Sequence, residues 1–126
     1  MAITGSAGLI GGIVYDHLAK LGHELIGIDR PHADWLKAGR NTDDENARKR
    51  VDFEMDLTAV SDEELMATLE EVDCLIHLAA DANPSNDDDS MIRNNIEPTT
   101  AMFRCAKSAQ VSRIIVASSG LAQVGL

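Results

Sequence analysis

The sequence predicts an α/β fold in which five parallel strands form a doubly wound sheet of order 3-2-1-4-5, with helices on both faces. Apolar runs of strand length alternate with segments of helical periodicity along the chain, which is the pattern of a parallel sheet. A glycine-rich turn, residues 5–11, stands between the first apolar run and the first helical segment. At 126 residues the chain has the length of one domain.

The glycine-rich turn has the features of a loop that binds nucleotide phosphate. Gly5 permits the tight turn, Gly8 lets the backbone approach a pyrophosphate, and Gly11 lets the next helix pack closely on the sheet. The unpaired N–H groups and the macrodipole at the start of that helix attract an anion. The spacing is G-x-x-G-x-x-G, not the commoner G-x-G-x-x-G, so a turn that only links a strand to a helix is the alternative.

The first helix is predicted to begin at Leu9 and to end at Gly22, a left-handed cap. Its expected buried stripe consists of Ile10, Val14, Leu18 and Leu21. A strand over residues 24–29 follows and ends at Asp29, eighteen positions after Gly11. An acid at this distance accepts hydrogen bonds from the adenosine ribose of a dinucleotide, and an ordinary strand-to-loop acid is the alternative.

The middle of the chain predicts a long connection, an edge strand and a helix. Residues 31–50 are polar and contain at most a short helix at 33–37. Residues 51–57 alternate as an edge strand does. Ser61 and Glu64 form a capping box for the helix that follows. The apolar residues of its buried stripe are Leu65, Leu69 and Val72.

Two buried strands, over residues 74–80 and 113–119, are predicted on either side of a long helix over residues 90–110. Pro98 is expected to kink that helix or to begin its straight part. The residues expected to face inward are Ile92, Ile96, Phe103 and Ala106. Residues 81–89 are expected to form a loop.

The composition disfavours several classes of partner. Eleven basic and twenty-one acidic residues give a net charge of −10, which disfavours nucleic acid and anionic membranes as partners; adaptation to high salt is an alternative explanation of the acidity.

Cys74 and Cys105 lie in apolar contexts and imply no disulfide, and the four histidines lack metal-ligand spacing. With no signal peptide and no membrane-spanning run, the cytoplasm is the expected compartment.

Six motifs occur in sequence order: Thr4-Gly5-x-x-Gly8-x-Ile10-Gly11, Asp29, Asp56-Leu57, His77-Leu78-Ala79-Ala80, Asn95-Ile96 and Val116-Ala117-Ser118-Ser119. Together they resemble the extended short-chain dehydrogenase/reductase family, the group of NAD-dependent epimerases and dehydratases, and within it most closely the uronate and hexose dehydrogenases. The resemblance covers essentially all 126 residues. It implies an NAD(P)-binding Rossmann domain over residues 1–126 that is incomplete after the fifth strand.

The resemblance also implies a role for each motif. The residues that border the pyrophosphate are Gly5, Gly8, Leu9, Ile10 and Gly11. Those at the adenosine side are Asp29 and Arg30 for the ribose and Asp56 and Leu57 for the adenine. Those at the nicotinamide side are Leu78, Ala79 and Ala80, with Asn95 shaping the site. Ser119, or Ser118 as the alternate, is the implied catalytic serine, which hydrogen-bonds the reacting oxygen.

The implied cofactor is NAD in preference to NADP, because Asp29 would repel a 2′-phosphate, whereas Arg30 is the cation that could accommodate one. The implied substrate is a small sugar-type molecule: a sugar, a sugar acid or a nucleotide sugar. Hydride would pass between its carbon and the nicotinamide.

Three departures from the family pattern limit what the resemblance implies. Pro98 stands where the family usually has glycine, and residues 120–125 are one residue longer than the usual link after the serine. The chain also contains no Tyr-x-x-x-Lys, the acid/base pair of the family. We therefore expect a truncated portion of an enzyme without turnover of its own, with a non-catalytic or redox-sensing NAD(P) module as the alternative and a purely structural domain as a third. We also expect exposed apolar surface along residues 113–119, with a homodimer or another partner chain at that edge.

Overall fold

Five strands form one sheet at the centre of the computed structural model, which describes residues 1–40, 43–83 and 87–119. The strands are β1 (Ala2–Thr4), β2 (Ile26–Asp29), β3 (Phe53–Glu54), β4 (Cys74–His77) and β5 (Arg113–Val116). Their order is β3-β2-β1-β4-β5 and every neighbouring pair is parallel. The predicted fold class and strand order are confirmed.

The helices occupy the connections between the strands. They are α1 (Leu9–Lys20), α2 (Glu45–Arg48), α3 (Asp62–Thr68), α4 (Asp88–Met91) and α5 (Glu97–Ser108), with a π-helical segment, Ile92–Ile96, between the last two. Gly22 has a φ of +82° and caps α1 as predicted. The Ser61 hydroxyl accepts a hydrogen bond from the backbone N–H of Glu64 at 3.2 Å, so α3 begins with the predicted cap.

The strands bury apolar side chains on both faces of the sheet, because successive residues of a strand point to opposite sides. The larger cluster lies against α3 and α5. Its buried members are Ala2, Ile28, Met55, Leu65, Leu69, Val72, Leu75, Met102, Cys105 and Ala106. The smaller cluster consists of Ile3, Cys74 and Ile76, with the half-buried residues Val14, Tyr15 and Leu18 of α1 packed against it.

The predicted stripe of α1 is wrong at both ends. Ile10 is 64% exposed and Leu21 is 62% exposed, whereas the fully buried positions of this helix are Gly11 and Gly12. Close approach at the two glycines leaves the neighbouring larger side chains on the outside, so α1 packs through its backbone at one end and through Val14 and Leu18 along its middle.

The predicted stripe of the long helix is wrong at three of its four positions. Ile92, Ile96 and Phe103 are exposed, and Ala106 is buried as predicted. The buried residues of α5 are Pro98, Met102, Cys105 and Ala106. Ile92 and Ile96 lie in the π-helical segment, whose i→i+5 bonding widens the turn, so a stripe extrapolated at 3.6 residues per turn is out of phase there. Phe103 lies beyond that segment in α5, next to the buried Met102. Pro98 lies in the first turn of α5 and so begins the straight part of the long helix, which is one of the two outcomes predicted for it.

The sequence also made predictions for the two edges of the sheet and for the long connection after β2. β3 is an edge strand as predicted, although it is only two residues long. The expected helix at residues 33–37 is instead a 3₁₀ turn, His32–Asp34, followed by turns whose hydrogen bonds are irregular: Ala38 N–H donates to the carbonyls of both Asp34 and Trp35. At the other edge of the sheet, Ile115 and Val116 of β5 are 48% and 42% exposed, which confirms the exposed apolar surface expected there. Among the described residues, no helix is both long and apolar enough to cross a membrane.

Replacing Gly11 by alanine is expected to destabilise the fold by about 1–3 kcal/mol or more, since overpacking displaces backbone. A Cβ at Gly11 would overlap the carbonyl oxygen of Gly5. The matched control is Gly12→Ala, where the Cβ would meet only the Arg50 guanidinium, 3.0 Å away, which can shift. That variant should stay within about 1 kcal/mol of the wild type. Urea unfolding measures both; equal losses of stability would contradict the proposed contact.

Candidate functional site

The glycine loop between β1 and α1 is fixed by backbone contacts to its neighbours. Gly5 has a φ of +73°, and its N–H donates to the Ile28 carbonyl at 2.8 Å. The N–H of Gly8 donates back to the Gly5 carbonyl at 2.9 Å. A Cβ on Gly5 would lie only 2.9 Å from the backbone nitrogen of Ala79. The turn therefore requires glycine at position 5 both for its left-handed backbone and for its approach to the end of β4.

The N-terminus of α1 presents open hydrogen-bond donors beside this loop. Gly8 is the N-cap residue and provides no side-chain cap. The N–H groups of Leu9, Ile10 and Gly11 have no hydrogen-bond partner within the described part of the chain. Three aligned donors at the positive end of a 12-residue helix form a site for an anion such as a phosphate.

Asp29, the predicted ribose acid, is buried at the end of β2 and is 5% exposed. Its Oδ2 accepts the N–H of Ala7 from the glycine loop at 2.8 Å. Its Oδ1 accepts the N–H of Arg30 and an N–H of the Arg40 guanidinium, each at 2.8 Å. One carboxylate thus holds the loop, its own strand end and the long connection together. Sequence reasoning missed Arg40, because the polar connection that carries it has no periodicity to place it.

A cleft of about 320 Å³ crosses the carboxyl ends of β2 and β4 and the segment after β3. The predicted site residues that line it are Asp29, Arg30, Asp56, Leu57, Ala79 and Ala80. Further lining residues that were not predicted include Lys37, Arg40, Asn94 and Pro98. The cleft therefore brings the predicted ribose, adenine and nicotinamide-side residues to one edge of the sheet, as expected for a ligand site of this fold.

A second cleft of about 360 Å³ lies on the glycine-loop side and is lined by Ala7, Gly8, Leu9 and Arg40, among others. Arg40 lines both clefts. The second cleft thus borders the start of α1 at Gly8 and Leu9, and the first cleft borders Asp29 at the end of β2.

Asn95 lies in the π-helical segment and clamps the chain after β4. Its Oδ1 accepts the N–H of Asp81 at 2.7 Å, and its Nδ2 donates to the Asp81 carbonyl at 3.0 Å. The neighbouring Asn94 donates to the Asp81 carboxylate at 3.2 Å. These bonds fix the backbone that follows Ala79 and Ala80, so Asn95 acts on the site as a positioning residue.

A buried network around His77 fixes the other side of the same strand end. The Thr4 hydroxyl accepts the N–H groups of Leu78 and Ala79, both at 3.2 Å, so its own hydrogen is donated to His77 Nδ1 at 2.7 Å. The proton of the neutral ring then lies on Nε2, which donates to the Thr99 hydroxyl at 3.0 Å. Burial lowers the pKa of His77 below its ordinary value, which keeps the ring neutral.

The structure keeps Ser118 and Ser119 apart from the cleft. Both follow β5 and are exposed, and neither is among the residues that line the first or the second cleft. The N–H of Ala117 donates to the His77 carbonyl at 3.2 Å, which sets this segment beside the end of β4. The longer link predicted over residues 120–125 lies outside the described residues.

The described residues contain no group of three or more His, Cys, Asp or Glu side chains that could hold a metal ion. Tyr15 is the sequence's single tyrosine and packs with the smaller core cluster on α1. Burial, with Asp52 and Asp16 nearby, raises the pKa of Tyr15 above its ordinary value. Tyr15 is not among the residues that line either cleft.

Comparison with known proteins matches residues 1–124 to the NAD dependent epimerase/dehydratase family. An NAD-dependent glucose-6-phosphate dehydrogenase of Haloferax volcanii is 31% identical over 93% of this chain and 42% of its own length. A UDP-glucose 4-epimerase of Mycolicibacterium smegmatis is 30% identical over 94% of this chain and 38% of its own length.

Among solved structures, a short-chain dehydrogenase/reductase superfamily protein from Agrobacterium tumefaciens with bound NAD superposes with a TM-score of 0.71. It is 27% identical over 94% of this chain and 32% of its own. The chain therefore spans about 40% of the length of the curated relatives that it matches.

The buried, neutral His77 predicts a pH dependence of stability. Unfolded His77 takes up a proton near pH 6.5, whereas the folded protein takes it up only at lower pH because burial lowers the pKa. Below about pH 6.5 the unfolded state binds more protons than the folded state, so stability should fall as the pH drops below that value. Urea midpoints measure this, and His77→Gln should remove that part of the decline. An unchanged decline in the variant would contradict the role of His77.

Proposed function

The chain belongs to the NAD-dependent epimerase/dehydratase family, and on this premise we propose that it is the NAD-binding portion of an oxidoreductase or epimerase that acts on a sugar, a sugar acid or a nucleotide sugar. The observation that carries the proposal is the glycine loop: three open N–H groups at the start of α1 lie beside a loop that the buried Asp29 holds in place. The sugar-type substrate rests on the relatives, which are a glucose-6-phosphate dehydrogenase and a UDP-glucose 4-epimerase.

The residues present fit a dinucleotide. In the proposal, the N–H groups of Leu9, Ile10 and Gly11 hold the pyrophosphate, and no Cβ at Gly8 obstructs it. Asp29 keeps one lone-pair direction beyond the three hydrogen bonds that it accepts, and this is the place for a ribose hydroxyl. The other residues proposed to contact the dinucleotide are Gly5, Arg30, Asp56, Leu57, Leu78, Ala79, Ala80 and Asn95. Bound NAD supplies the hydride acceptor or donor.

The reaction also needs groups that orient the substrate and move its proton. Ser119, with Ser118 as the alternate, is proposed to hydrogen-bond and polarise the reacting oxygen. An uncharged hydroxyl is a poor base by itself, and the sequence contains no Tyr-x-x-x-Lys. In the proposal, cofactor binding therefore belongs to these 126 residues and proton transfer does not.

The proposal also includes a packing surface on the protein and the compartment in which the protein is found. The exposed β5 edge, with Ile115 and Val116, is proposed as the surface at which further polypeptide or a second copy packs. The cytoplasm is the proposed compartment, since Cys74 and Cys105 are both free and buried.

Gly8→Val is expected to weaken NAD binding at least about tenfold while leaving the fold nearly intact. The backbone of Gly8 is extended, and a Cβ there would meet only the Gly5 carbonyl oxygen at 3.1 Å and the tip of Arg40 at 3.6 Å. The matched control is Gly22→Ala, which costs about 1 kcal/mol of stability at its positive φ and leaves affinity unchanged. Calorimetry with NAD reports affinity; an unchanged affinity in folded Gly8→Val would remove the phosphate-loop assignment.

The purified 126-residue chain is expected to bind NAD and to show no turnover with it. The assay supplies NAD with a panel of uronic acids, hexoses and nucleotide sugars and follows the absorbance of the reduced nicotinamide. Binding without turnover is the expected outcome, because the sequence contains no Tyr-x-x-x-Lys to move the proton. Turnover by the chain alone would refute this and would require another base among its residues.

A further inference from the structure

The π-helical turn before α5 leaves two backbone carbonyls without their α-helical donors. The N–H of Glu97 donates to the carbonyl of Ile92, five residues back. The carbonyl of Arg93 therefore does not receive the Glu97 N–H, which would be its donor in an α-helix. The carbonyl of Asn94 would receive the N–H of residue 98, which is a proline and has none. The α-helical ladder is thus interrupted at two successive residues.

The chain on the C-terminal side of this turn is fixed against the sheet. Pro98 is buried in the first turn of α5, and Met102 and Cys105 are buried further along the same helix. The Thr99 hydroxyl accepts from His77 Nε2 at 3.0 Å, which ties the start of α5 to the end of β4. A change of helical register must therefore be taken up by the residues that precede α5.

The residues that precede α5 carry the clamp on Asp81. Asn95 accepts the N–H of Asp81 at 2.7 Å and donates to its carbonyl at 3.0 Å, and Asn94 donates to its carboxylate at 3.2 Å. The π turn contains about one residue more than an α-helical turn. Conversion to an α-helical turn would rotate the preceding chain by roughly 100° about the helix axis. Asn94 and Asn95 could not both keep their bonds to Asp81 after such a rotation.

We propose that Pro98 is a positioning residue of the first cleft, which excludes the α-helical register and so holds Asn94 and Asn95 on Asp81. In the α-helical register residue 98 donates an N–H to the carbonyl four residues back, whereas proline has no N–H and its ring collides with that carbonyl. Asp81, Asn94 and Pro98 all line the first cleft, so the register of this turn shapes the cleft wall that follows β4. Only the effect on NAD affinity rests on the proposed function.

The experiment is amide hydrogen exchange, followed by nuclear magnetic resonance, on the wild-type chain, Pro98→Ala and Pro98→Val. Both variants restore the N–H, and valine also fills the space of the ring. We expect the Asp81 N–H to exchange about tenfold faster in each variant, because a share of the molecules releases its bond to Asn95. The internal reference is the Ala79 N–H, which the Thr4 hydroxyl accepts at 3.2 Å and whose exchange should not change.

Two controls show whether Pro98 acts through the clamp. Cys105→Ala trims a buried side chain of the same helix away from the turn, and it should leave Asp81 exchange at the wild-type rate. Asn95→Ala removes the acceptor itself, so adding Pro98→Ala to it should give no further acceleration. Calorimetric titration should show NAD affinity about threefold or more weaker in Pro98→Ala and unchanged in Cys105→Ala.

Unchanged Asp81 exchange in both proline variants would overturn the proposal. So would an equal acceleration in Cys105→Ala, a further acceleration on top of Asn95→Ala, or an equal rise at the Ala79 N–H, which would mark a general loss of structure. Faster Asp81 exchange with unchanged NAD affinity would refute the link between the turn and the ligand. A wild type that does not bind NAD refutes the proposed function and leaves the exchange result as the test of Pro98.

Discussion

The carboxylate of Asp29 joins the three parts of the molecule that make the candidate site. It accepts hydrogen bonds from Ala7 in the glycine loop, from Arg30 at its own strand end and from Arg40 in the long connection. The glycine loop is also held by the Gly5 N–H bond to the Ile28 carbonyl, so the carboxylate adds a second connection between the loop and β2. A buried carboxylate with three donors is stable only as a set, because removal of a donor leaves desolvated charge. The open N–H groups of α1 depend on this set, since the loop that leads into the helix is fixed by it.

The proposed phosphate site lies in a chain of net charge −10 and relies on no basic side chain. The donors at the start of α1 are backbone groups, whose partial charges do not appear in a count of ionisable residues. The end of β4 is shaped in the same indirect way. His77, through Thr4, fixes the N–H groups of Leu78 and Ala79, and Asn95 fixes Asp81 just beyond them. Side chains therefore position backbone, and backbone with small residues forms the surface that meets the ligand.

Local and periodic features of the sequence predicted much of the fold and of the candidate site. The glycine spacing, the acid that closes β2 and the buried strand β4 are short-range patterns, and they determine the strand order and the cleft edge. Ile92 and Ile96 were wrongly placed on the inward face because they lie in a π-helical turn before Pro98, and nothing in the apolar spacing signals an extra residue in a turn. Arg40 was missed for another reason: its partner is set by a tertiary contact of a connection without periodicity. The Thr4–His77 bond joins residues 73 positions apart and has no local signature.

The proposed cofactor contacts and the proposed catalytic serines lie in different parts of the described chain. The proposed contacts to the dinucleotide lie between Gly5 and Asn95, and the loop, Asp29 and the end of β4 are each held by several hydrogen bonds to other elements. The serines lie beyond β5, where the Ala117 N–H bond to the His77 carbonyl ties the segment to β4 and where Ile115 and Val116 are exposed. His77 is the link between the two, because one residue orients the backbone of the cofactor side through its ring and receives the serine segment at its carbonyl. The end of β4 on the cofactor side is thus held by its own hydrogen bonds, and the serine segment is tied to it at the His77 carbonyl.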